Sequence, residues 1–353
     1  MSTTAMVARR IGEKDVPGAT TAATQAIALG IAVAALIGIP GALFGGDVLR
    51  LMGASEETIG IGSGYTRVLL GTNVVIMLVF LNNAVFRGAG DAVIAMKSLA
   101  LANAINLVLD PCLIFGWGPF PELGVTGAAV ATTLGRGTGV AYQLWALRRG
   151  RGRVRLAGPA LRIDWTAMLK LLRVSLGGIG QLLIATASWV VLMRILAPFG
   201  DDAVSGYPIA IRILIFGVLP SWVLANAAAT LVGQNLGAQQ PDRAERSVWL
   251  TGLYNMAFLA AVTVFFLLFS DRMIVLFQDG PEVVAVGSRA LRVISYGYVF
   301  YAWGMVMTQA FNGAGDTATP TWVNAICFWG VQIPSAWLLA RTAGLGPEGV
   351  FWA

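Results

Sequence analysis

The run VIAMKSLALANAINLVLDPCLIF, residues 93–115, is twenty-three residues long and carries one cation, Lys97, and one acid, Asp110. A segment this long and this apolar is expected to cross a bilayer as a helix. Asp110 is the only acid well inside a hydrophobic segment; the rest of the 18 Asp and Glu fall in connections or at segment ends. A carboxylate in such a setting faces a bundle interior and points by default to an ion or proton site. Asn103, Asn106 and Asp110 are spaced three and four apart, which places them on one helical face. Pro111 cannot donate to the carbonyl of Leu107, so an oxygen is left free one turn below the carboxylate. Burial raises the pKa of a lone carboxylate and a bound cation lowers it, so such a group can exchange a proton for Na⁺. The alternative is an Asp–Pro kink whose carboxylate caps a neighbouring helix.

The rest of the chain has the same character. It is 57% hydrophobic and 12% charged, with a mean hydropathy of +0.73. Soluble domains carry about 25% charge. Apolar runs long enough to span recur at about 20–44, 58–86, 93–116, 124–148, 166–198, 204–233, 243–269, 283–312 and 317–342, and a tenth begins near Gly346. The fold class is therefore an all-α polytopic membrane protein. The absence of His removes His metal sites, His general bases and the usual hydrolytic triads. Cys112 and Cys327 lie in apolar runs, which excludes a disulfide framework or a CxxC site. The N-terminal MSTTAMVARRIGEKD lacks the apolar core of a signal peptide.

Basic residues set the expected orientation. Placing Arg9, Arg10 and Lys14 inside puts most of the 24 Lys and Arg on the cytoplasmic side. The link from Leu147 to Lys170 carries RRGRGRVR, residues 148–155, together with Gly150, Gly152, Gly158 and Pro159. It is the expected boundary between an N-terminal lobe (1–150) and a C-terminal lobe (166–353), with 151–165 as a basic linker. Residues 148–155 are expected inside and residues 120–124 outside. Such a loop could bind RNA in a soluble protein; here its role is topological and no nucleic-acid partner is expected.

Shifting the chain by 225 residues aligns it with itself over some 85 positions without a gap. Glu57, Gly62, Ser63, Arg67 and Val68 meet Glu282, Gly287, Ser288, Arg292 and Val293; FRGAGD (86–91) meets FNGAGD (311–316). An even number of spans separates the members of each pair, so the halves are read as parallel repeats about an axis along the membrane normal, a transporter plan. Two complete six-helix units would have twelve spans. The chain then corresponds to the third to the eleventh with the start of the twelfth, and reads as truncated at both ends. In the paired turns the glycines permit positive φ, and Asp91 and Asp316 are expected to cap the helices that follow. No strand precedes them and no GK[ST] follows, so they are not phosphate loops.

GQNLGAQQPDRAER (233–246), both F-x-GAGD turns, the LRLMGASE loop (49–56) and LGVTGAAVAT (123–132) resemble the multidrug and toxic compound extrusion (MATE) family. Within it they are most similar to the bacterial branch related to the DNA-damage-inducible protein. The resemblance covers nearly the whole chain. It implies a non-enzymatic secondary transporter of a multi-pass bacterial inner membrane, working as a monomer, that exports organic cations in exchange for Na⁺ or H⁺ and needs no cofactor. Asn106 and Asp110 match the Asn and Asp four apart on the family's fifth helix, and Thr132 matches a sixth-helix Thr. The resemblance thus implies a coupling site, open to Na⁺, at Asp110, Asn106 and Thr132, with Asn103 beside them. The first-helix acid of that site has no position here. Gln181 stands near the place of a seventh-helix acid found in other members, and the span 283–312 has no internal acid, so a C-terminal cation site is not expected.

For the substrate cavity the candidates are Gln181 and the stripe Tyr298, Tyr301, Met305 and Gln309, with Trp322 and Trp329 on the next span. Aromatic and Met faces suit lipophilic cations; ordinary helix packing explains them equally well. Arg194 and Arg212, unusual inside apolar spans, are expected to snorkel or pair near helix ends. A lipid-linked oligosaccharide flippase shares the bundle plan but calls for an Arg-rich cavity. A membrane-embedded enzyme would need clustered His, Cys or acids.

Overall fold

A computed structural model of the chain describes residues 1–156, 163–278 and 280–353. All of its regular structure among the described residues is helical: α1 (Ser2–Gly12), α2 (Val16–Leu51), α3 (Glu56–Gly71), α4 (Asn73–Ala89), α5 (Ala92–Phe115), α6 (Gly124–Arg149), α7 (Trp165–Leu196), α8 (Asp201–Gly237), α9 (Pro241–Val275), α10 (Pro281–Tyr296), α11 (Tyr298–Ala314), α12 (Ala318–Ala325), α13 (Ile333–Trp337) and α14 (Pro347–Trp352). Wider π turns at Ile326–Gln332 and Leu338–Thr342 join α12 and α13 into one run ending at Thr342.

The 225-residue offset carries over to the helices. α3 and α4 map onto α10 and α11 residue for residue, and the end of α1 at Gly12 maps onto the end of α8 at Gly237. The turns repeat too. Lys14 and Gln239 both sit at positive φ, 58° and 57°, and the glycines that close α4 and α11, Gly90 and Gly315, have φ of 86° and 89°. Only a residue without Cβ takes that conformation at no steric cost, which explains the Gly of GAGD. Thr72 and Gly297, also 225 apart, mark breaks where each pair of helices bends, by 44° and 57°. In neither half was this break expected from the sequence.

Among the described residues six helical runs are each long and apolar enough to cross a membrane: α2, α5, α7, α8, α9 and residues 318–342; the bent pairs α3–α4 and α10–α11 raise the number to eight. The remaining expected span, 124–148, forms as α6 but does not meet that measure. Its five glycines and Arg136 replace the bulky apolar residues of a lipid-facing helix with a surface for close packing.

The chain divides into two compact units, one of residues 6–171 and the other of residues 1–5 with 172–353. The boundary thus falls within the first turns of α7, not at 150 and 166, and the first residues side with the second unit, where Ser2 Oγ lies 2.8 Å from Ser175 Oγ. Gly158 and Pro159 of the expected linker lie outside the described residues. In the first unit the core gathers small residues, Ala19, Ala22, Ala23, Ala89 and Ala146, around Phe86 and Leu147. The second is built on larger ones, with Leu196, Leu259, Ile274 and Leu291 fully buried.

Candidate functional site

Asp110 sits half-buried near the end of α5, and Asn106 Nδ2 donates to its Oδ1 at 3.1 Å. One turn of helix separates the two, so the contact is built by α5 alone. Asn103 does not join them: it is exposed, and no hydrogen bond links it to the pair. Seven residues fall about 20° short of two helical turns, and the packing partner takes the other side.

That partner is α6, which approaches α5 through glycines. A Cβ on Gly127 would stand 2.2 Å from the Leu113 carbonyl oxygen; on Gly135, 2.7 Å from the Ala102 oxygen and 3.0 Å from Asn106 Cβ; on Gly139, 3.0 Å from the Ser98 oxygen. Small residues that let backbones meet in this way are the usual device for joining helices in lipid. The three contacts define an antiparallel register that brings residues 129–131 level with Asp110, with Thr132 next to them along α6. Thr132 is half-buried and forms no hydrogen bond with Asp110; its neighbour Thr133 instead ties α6 to the α3–α4 break, Oγ1 to Thr72 Oγ1 at 2.9 Å.

Among the described residues no three His, Cys, Asp or Glu side chains gather as metal ligands. An ion at Asp110 would therefore be held by one carboxylate with neutral oxygens. Those within the helix are the Leu107 carbonyl, which has no donor at Pro111, and Asn106 Oδ1 once its amide turns over. Such a mixed oxygen set suits a hard monovalent cation or a proton.

A second polar group in the same unit was not read from the sequence. Gln143 of α6 is fully buried; its Oε1 accepts from Asn82 Nδ2 at 3.2 Å, and its Nε2 donates to Asn83 Oδ1 and to Ser98 Oγ, each at 2.8 Å. It ties α4, α5 and α6 together. The visible signal was the pair Asn82–Asn83 inside the apolar run LVFLNNAVF. In the other unit Gln181 has a comparable place, donating to Asn312 Oδ1 at 3.1 Å and to the Thr317 carbonyl at 3.2 Å.

The substrate candidates separate. A cavity of about 680 Å³ in the second unit is lined by Tyr298 and Tyr301 along with Trp189, Tyr207, Phe300 and Phe328. Its size is that of a small-molecule site. Gln181, Met305 and Gln309 do not line it. Met305 packs against the core around Ala225 and Val306, its sulfur accepting from Ser221 Oγ at 3.6 Å; Gln309 is buried on the same helix. Tyr298 is anchored by its hydroxyl, which donates to the Leu214 carbonyl at 2.9 Å. Trp322 and Trp329 are exposed, as are Arg194 and Arg212, and none of the four lines the cavity. Among the described residues that line the cavity there is no Lys or Arg, which does not favour a pyrophosphate flippase.

The turns differ in their use of the paired acid. Asp316 caps α12 as expected: Oδ1 accepts from the Ala318 and Thr319 amides, and Oδ2 from Thr319 Oγ1 at 2.6 Å. Those bonds, the Thr319 ones foremost, hold its carboxyl below the usual value. Asp91 caps nothing. Its Oδ2 accepts from the Arg153 amide at 2.7 Å, because residues 151–156 fold back over the start of α5 and reach it first.

Comparison with known proteins covers most of the chain. The MatE family profile matches residues 1–112 and 179–338. The chain is 24% identical over 334 residues to the probable multidrug resistance protein YoeA of Bacillus subtilis, covering 94% of this chain and 71% of that protein. It is 26% identical over 287 residues to the probable multidrug resistance protein NorM of Thermotoga maritima, covering 81% of this chain and 62% of that one. A crystal structure of MATE in the bent conformation superposes with a TM-score of 0.91 at 26% identity, over 99% of this chain and 77% of the other.

Proposed function

Since the chain belongs to the MatE family and is a multi-pass membrane transporter, we infer that it is a secondary antiporter exporting organic cations across a bacterial inner membrane, as a monomer, in exchange for Na⁺ or H⁺. The observation that carries this reading is the Asn106–Asp110 pair, set in an apolar helix beside an undonated carbonyl. A carboxylate there binds a cation or a proton and gains or loses charge as it does so, which is the property a coupling group needs. Thr132, on the neighbouring α6, is the added ligand in this reading. The lipophilic part of the cargo is served by the aromatic cavity around Tyr301, whose ring faces attract quaternary and guanidinium groups.

The test is transport by the purified protein in vesicles. A fluorescent organic cation is expected to move against its gradient when an inward Na⁺ or proton gradient is imposed, and to stop when both are collapsed. Movement that ignores both gradients would remove the antiport reading.

A further inference from the structure

We propose that residues 148–155 form a binding surface for the headgroups of acidic phospholipids. A basic loop that only sets topology has no need to fold. This one is folded along its length. Val154 is buried among Ala146, Leu147 and Val85. The Arg151 amide donates to the Ala146 carbonyl and the Leu156 amide to the Leu147 carbonyl, each at 3.1 Å. Gly152 presses onto Asp91 so closely that a Cβ would stand 2.5 Å from Oδ2, the oxygen that also accepts from the Arg153 amide.

The same folding leaves the charges free. Arg148, Arg149, Arg151, Arg153 and Arg155 are all exposed, and among the described residues none forms an ion pair. The carboxylate that the loop packs against, Asp91, is spent on a backbone amide rather than on a guanidinium. Five guanidiniums without an ion partner among the described residues, Arg155 alone using its Nε on the Arg148 carbonyl at 3.3 Å, stand on a fixed backbone and offer phosphate planar forks of donors. Their position chooses lipid as the source of that phosphate. The loop continues α6, whose glycine face packs against membrane-spanning α5. On its last turns Trp145 is partly exposed, with the Arg151 guanidinium 4.1 Å and that of Arg149 5.9 Å from its ring. A Trp bearing cations on its face is suited to the headgroup level.

The experiment uses the purified chain in neutral detergent, where topology plays no part, and native mass spectrometry to count retained lipids offered as phosphatidylglycerol or phosphatidylcholine. Phosphatidylglycerol is expected to bind in preference. Combined Arg149→Gln, Arg151→Gln and Arg153→Gln is expected to weaken it about a hundredfold, at about fivefold per Arg. Should that variant fail to fold, Arg151→Gln alone is expected to give the fivefold loss. Asp91→Ala adds a net positive charge but unfastens the loop, so binding is expected to fall. A rise would mean diffuse attraction and overturn the proposal. So would unchanged lipid selectivity in the Arg variants, displacement of the lipid by inorganic phosphate, or tighter binding of a short RNA.

Discussion

Asp110 depends on one hydrogen bond from Asn106 and on the close approach of α6. Asn106→Ala leaves the charge and removes a ligand, so apparent affinity for the coupling cation should fall about tenfold, as for one hydrogen bond to a charged group; the concentration dependence of cation-driven efflux measures it. Thr132→Ala, which breaks no observed bond, should change that affinity less. Gln143 is the residue whose loss should damage the fold. Gln143→Leu keeps its volume but removes three hydrogen bonds and leaves buried amides of α4 unpaired, a cost of roughly 2–3 kcal/mol. A lowered melting temperature of the solubilised protein would show it; an unchanged one would make the cluster dispensable. The Asn106–Asp110 pair was legible in the sequence because four residues of helix bring it together. The reach of Gln143 was not, since its partners lie 45 to 61 positions away and meet only when three helices pack.

Between helices the decisive feature is absence of side chain. Gly135→Ala would drive a methyl to 2.7 Å from the Ala102 oxygen and 3.0 Å from Asn106 Cβ. It should lower both melting temperature and cation affinity, whereas Gly137→Ala, with open space around it, should change neither. The repeated turns make a second comparison. Asp316 is held below its ordinary pKa by bonds made only in the folded chain, so it adds stability above the ordinary carboxylate range. That stability is lost as pH falls through its depressed folded value. Asp316→Ala should therefore cost about 1 kcal/mol at neutral pH, as for a lost helix cap, and the difference should shrink below about pH 4. FRGAGD and FNGAGD are nearly identical as sequence, which is why both acids were expected to cap. Only the folded-back loop at Arg153 distinguishes them, and it lies 62 residues from Asp91. The bends at Thr72 and Gly297 went unread because neither residue departs from ordinary span composition.

At the level of the whole chain, the 225-residue repeat was visible because turns and helix ends recur at one spacing, and α3 and α4 obey it to the residue against α10 and α11. Sidedness follows from charge alone and has its own check. In a background without Cys112 and Cys327, Pro121→Cys should react with an impermeant thiol reagent from outside and Arg149→Cys should not; the reverse would invert the topology. In the proposed mechanism Asp110, carried by α5, is the group whose access would change between the two faces during transport. The direct test compares wild type with Asp110→Asn in vesicles, at matched reconstitution, as imposed Na⁺ and proton gradients drive efflux of an organic cation. Asn keeps the size and much of the hydrogen bonding but cannot change charge. The variant is expected to fold and bind substrate while gradient-driven efflux is abolished; normal export under either gradient would place the coupling group elsewhere and leave Asp110 a local feature of a proline-containing helix.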